Sequence, residues 1–99
     1  MMTDTGLVDA RTTLISVTDR WQRQGYRSQV LEEALSLLPL VDSSLLRSGA
    51  GSPAEIGQLR QQCENLRVAV EHIRGLGHGD TLTAASSRFL DAIAAELDR

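Results

Sequence analysis

The stretch Ser52–Gly75, SPAEIGQLRQQCENLRVAVEHIRG, constrains the fold of this 99-residue chain more than any other. Ser52 is placed to cap a helix, Pro53 suits the first helical position because its missing N–H costs nothing there, and Glu55 completes a capping box. Ile56, Leu59, Cys63, Leu66, Val70 and Ile73 then recur at alternating steps of three and four, which draws one apolar stripe along a helix. Gly75 follows the stripe and supplies a left-handed stop. A helix with one buried stripe has to be covered by others, so the rest of the chain is read for helices that could do it.

The segments on either side repeat the pattern. Leu7, Ala10, Leu14, Val17 and Trp21 form a seam ahead of Gly25, with Thr3 or Thr5 as the expected cap and Arg20 and Arg23 at the negative end. Its β-branched residues, Thr12, Thr13, Ile15, Val17 and Thr18, lower helix propensity and make a kink conceivable. A second helix starts near Ser28 and carries Val30, Leu31, Ala34, Leu35 and Leu38. Pro39 is expected to break or kink it, since proline lacks the backbone donor and its ring collides with the carbonyl of Leu35. Asp42 or Ser43 would then cap a short turn bearing Leu45 and Leu46. After the glycine-rich segment Gly75–Gly79, Asp80 is the favoured cap of a last helix with Leu82, Ala85, Phe89, Leu90, Ile93 and Leu97 on its apolar side.

No segment alternates apolar and polar residues as a half-buried strand would. The expected fold is all-α, a single domain over 1–99, with helices at about 6–24, 28–38, 53–74 and 81–97 and a short turn at 43–47. Short connections favour an antiparallel four-helix bundle. The alternative, if helix one also kinks, is five or six short helices in a death-like fold.

Composition narrows the function classes. All ten basic residues are Arg, which fits the codon usage of a GC-rich bacterial genome. They are dispersed from Arg11 to Arg99 and the net charge is −3, so the concentrated basic face of a nucleic-acid binder is missing. No apolar run is long enough for a membrane span, and MMTDTGLVDAR lacks the order of a signal peptide. Cys63 is the only cysteine, which fits a reducing compartment, so a cytoplasmic location is expected.

The residues that could carry chemistry have plainer readings. Cys63 lies on the apolar stripe, where a thiol acts as a small hydrophobe. His72, nine residues further on, is about half a turn around the helix and roughly 13 Å along it, so the two cannot form a catalytic pair. The GLGHGD segment follows a helix rather than a strand and lacks the spacing of a phosphate loop. His72, His78 and Asp80 near one loop are too few and too ordinary to imply a metal. No catalytic residue, cofactor or metal is assigned.

The remaining candidates point to association. Arg60, Glu64, Arg67, Glu71 and Arg74 alternate in sign down one face of the central helix, an array that can set the register of a partner. Tyr26, flanked by Arg23 and Arg27 at the first helix–helix turn, has the composition of an interface hot spot. The expected function is a non-enzymatic protein–protein interaction module, an adaptor or self-associating domain that binds another protein or itself. In architecture, size and acidity, though not in any residue motif, it is similar to death-fold or caspase-recruitment-like domains of bacterial defence systems and to small chaperones of bacterial secretion systems. A small DNA-binding regulator and a small helical enzyme rank below these, for want of a basic recognition helix and of inward-facing cations respectively.

Overall fold

A computed structural model of the chain describes residues 2–25, 28–46, 53–77 and 80–98. They form four helices, α1 (Met2–Arg23), α2 (Gln29–Val41), α3 (Pro53–Gly75) and α4 (Thr81–Leu97), with a π-helical turn, Asp42–Leu46, extending α2. There is no strand among the described residues, so the all-α expectation holds.

The cap at Asp80 is the one the sequence implies, and Ser28, where the second helix was expected to begin, caps α2. Ser28 is extended (φ −161°, ψ 163°) and its hydroxyl oxygen accepts from the Leu31 N–H at 3.1 Å. Asp80 accepts from the Thr83 N–H at 2.9 Å, while the Thr83 hydroxyl accepts from the Asp80 N–H at 2.9 Å, a reciprocal box at the start of α4. Pro53 opens α3 as expected, whereas Ser52 lies outside the described residues.

Five local expectations are corrected. α1 begins at Met2, so Thr3 and Thr5 lie within the helix and not ahead of it; no proline interrupts the approach to the seam. α1 is also continuous over 22 residues, its β-branched residues notwithstanding, because the burial of Leu7, Ala10 and Leu14 outweighs propensity differences of a few tenths of a kcal/mol per residue. α2 passes through Pro39 and ends at Val41. Pro39 is on the solvent side, while Leu37 and Val41 on either side of it are wholly buried, and that burial holds the helix together across the missing hydrogen bond. The turn after it widens, with the Asp42 N–H directed at the carbonyls of Leu38 and Pro39, so Asp42 continues the helix and caps no new one. Finally, α3 includes Gly75; the left-handed stop is Gly77 (φ 82°), whose N–H reaches the Arg74 carbonyl at 2.9 Å. Gly25 (φ 76°) ends α1 as predicted.

Side-chain contacts set the directions of the helices. Arg11, midway along α1, meets Asp42 just beyond the end of α2. Gln62 of α3 donates to the Glu33 carbonyl of α2 at 3.1 Å and to its carboxylate at 2.5 Å. Arg74 late in α3 donates to Ser87 early in α4 at 2.9 Å, and Arg60 early in α3 shares a groove with Leu97 and Asp98 at the end of α4. The bundle measures 38 × 22 × 21 Å, and its long axis is close to the ~34 Å length of the 23-residue α3.

The packing is unequal. α1 lies closely on α4 and α2 lies closely on α3, while α3 and α4 are less tightly joined. Leu14, Leu37, Leu59, Leu66, Phe89 and Ile93 fill the centre. The inward face of α2 is rotated from the expected one: Leu37 and Val41 are fully buried, and Leu35 and Leu38 only in part.

Candidate functional site

The looser joint between α3 and α4 opens into a surface groove of about 350 Å³. Cys63 lines it from α3, and Leu90, Ile93, Ala94 and Leu97 from α4. Its α3 rim is Arg60, Glu64 and Arg67, and its α4 rim is Asp91 and Asp98. A smaller depression of about 270 Å³ continues along the same joint past Val70, Glu71, Arg74 and Ser87. All five charged residues singled out on α3 thus border one continuous valley, and each of them is exposed.

These charges are held differently. Arg67 pairs with Glu64 one turn back, and that carboxylate keeps the guanidinium's pKa above its ordinary value. Arg74 is fixed to α4 through Ser87. Arg60 and Glu71 have no hydrogen-bond or ion-pair partner among the described residues. They sit 11 residues apart, close to three full turns, and so point to the same side about 16 Å from each other.

Cys63 is half-buried rather than sealed in the core. Burial pushes its thiol up to about 11, with Arg60 pulling weakly the other way. At neutral pH it is a thiol and a poor nucleophile, in keeping with its place on the apolar stripe. His72 lines a separate groove of about 400 Å³ between α2 and α3, with Gln29, Glu33, Val68 and Ile73, on the opposite side of α3 from Cys63. Among the described residues no group of three His, Cys, Asp or Glu side chains could hold a metal ion, and His78 lies outside them. Tyr26 and Arg27, the other candidate interface, also lie outside the described residues.

The acidic α4 rim, Asp91 and Asp98, is not among the residues that the sequence singles out. Their spacing of seven, matched by that of Leu90 and Leu97, is the mark that could have revealed it. Arg88 of α4 reaches α1, with Thr13 at 3.3 Å and Asp9 at 3.9 Å. No helix is long and apolar enough to cross a membrane among the described residues.

Comparison of the chain with protein-family models, with curated proteins and with solved structures finds no match. The class defined here is therefore architectural, an all-α antiparallel four-helix bundle.

Proposed function

We propose that this chain is a non-enzymatic protein–protein interaction module whose working surface is the outer face of α3 together with the α3–α4 valley. One observation carries the reading. The alternating charges Arg60, Glu64, Arg67, Glu71 and Arg74 border a groove whose lining includes the half-buried apolar residues Leu90 and Leu97. Apolar area that a partner can cover, inside a rim of fixed charge, is the common anatomy of a specific interface. The continuity of α1 favours four long helices over the five or six short ones of the alternative arrangement.

The test uses a photo-crosslinking amino acid in place of Glu64 or Glu71, with controls at Ser16 and Arg23, exposed positions on α1. The expected result is a discrete crosslinked product from the α3 positions and none from α1. Equal capture from both helices, or none from α3, would count against the reading.

A further inference from the structure

We propose that two copies of this chain associate through the outer faces of α3, antiparallel, in a register centred between Asn65 and Leu66. The inference rests on the interaction reading above and names its partner as a second copy. Its basis is the juxtaposition on one exposed face of two opposite charges without a hydrogen-bond or ion-pair partner among the described residues, Arg60 and Glu71, with an internally paired couple, Glu64 and Arg67, between them; Glu71 acts on Arg67 only through space.

Arg60 and Glu71 cannot reach one another, being about three turns apart on the same helix. An antiparallel twofold brings each residue opposite the one whose number completes a constant sum. With the axis between Asn65 and Leu66, Arg60 of each copy meets Glu71 of the other, twice by symmetry. The same operation sets each Glu64–Arg67 couple against its symmetry mate in the reverse order, which closes a ring of four alternating charges. On this face of α3 the two charges without a hydrogen-bond or ion-pair partner among the described residues each gain one, and Arg74 keeps Ser87.

Other arrangements do worse. An antiparallel register centred on Ala69 pairs Glu64 with Arg74 and Arg67 with Glu71, leaves Arg60 alone and draws Arg74 from Ser87. Antiparallel pairing centred on Arg67 sets Arg60 against Arg74, and parallel pairing sets each residue against itself; both oppose like charges. Exposed ion pairs are individually weak, so the dimer is expected to be of modest affinity, strengthened at low salt and weakened at high salt.

Sedimentation equilibrium over a concentration series reads the dissociation constant for the wild-type chain, Arg60→Glu, Glu71→Arg and the double variant. Both positions are exposed, and each swap suits the α3 dipole, with acid toward the N-terminus and base toward the C-terminus, so helicity by circular dichroism should be retained. Each single swap turns two symmetric attractions into repulsions and should raise the dissociation constant about five- to tenfold, while the double variant should recover to within about threefold of wild type. A dimer whose double variant is no better than the singles overturns this register. A chain monomeric at every concentration overturns self-association altogether. In that case a crosslink from position 64 or 71 to a protein of a different mass would leave the interaction reading intact, whereas no crosslink would remove both.

Discussion

The guanidinium of Arg11 grips both carboxylate oxygens of Asp42, Nε to Oδ1 at 2.6 Å and Nη2 to Oδ2 at 2.8 Å, and so ties the first half of α1 to the π-helical turn that follows α2. The two residues are 31 apart in sequence, and the pair holds the chain where Pro39 and the widened turn weaken its regular hydrogen bonding. Both side chains are partly exposed, at 29% and 44%, so solvent screens the attraction. The fork-to-fork geometry is what distinguishes it from an ordinary surface pair. Removing Asp42 as Asp42→Asn should lower stability by roughly 0.5–1.5 kcal/mol, with Arg11→Lys losing a comparable part because an ammonium cannot form the fork. Urea unfolding of the two singles and the double gives the coupling; strict additivity would mean the pair contributes nothing.

Ser86 of α4 is wholly buried, and its hydroxyl has no hydrogen-bond partner. A buried unsatisfied hydroxyl costs about 1–3 kcal/mol of desolvation, and Ala at the same place fills nearly the same volume and favours helix. Ser86→Ala should therefore raise the urea midpoint, by a stability gain of about 1 kcal/mol. A loss of stability would show that the hydroxyl is bonded in solution.

Cys63 makes a pH-dependent prediction. Its thiol is pushed up to about 11 in the folded chain from an ordinary value of 9.0. Above 9 the unfolded chain gives up this proton and the folded chain keeps it, so the folded state binds more protons and loses relative stability as pH rises from about 9 to about 11. Below that window the residue has no such effect. Alkylation by iodoacetamide should be slower in the native than in the urea-unfolded chain at pH 8, with the native rate still climbing above pH 9. Arg60→Ala should slow it further, since Arg60 pulls the thiol's pKa down. Equal native and unfolded rates at pH 8 would contradict the burial.

Local chemistry accounts for most of what could be read in advance. Asp80 was legible as a cap because its side chain satisfies a helix N–H within its own first turn, a relation spanning three residues that Ser28 repeats at the start of α2. The seam of α1 was legible for the same reason: Leu7, Ala10 and Leu14 need only the period of a helix to be found. The expected break at Pro39 does not occur: its local penalty is real, but what outweighs it comes from Leu37 and Val41 packing against other helices. The inward roll of α2 was misjudged likewise, since Leu35, Leu37 and Leu38 are equally apolar and only their neighbours decide which turns in.

The candidate site divides along the same line. The order of charges from Arg60 to Arg74 and their common face on α3 were determined by the sequence alone, through the 3.6-residue period. Only the tertiary structure decided that α4 would approach this face antiparallel, bring Leu90, Asp91, Leu97 and Asp98 to its edge, and pack loosely enough to leave a groove. Periodicity specifies which residues share a side of one helix. Which two helices meet closely and which stand apart follows from the fit of side chains in three dimensions, as Phe89 and Ile93 fill the centre and leave Leu90 and Leu97 half-covered at the rim.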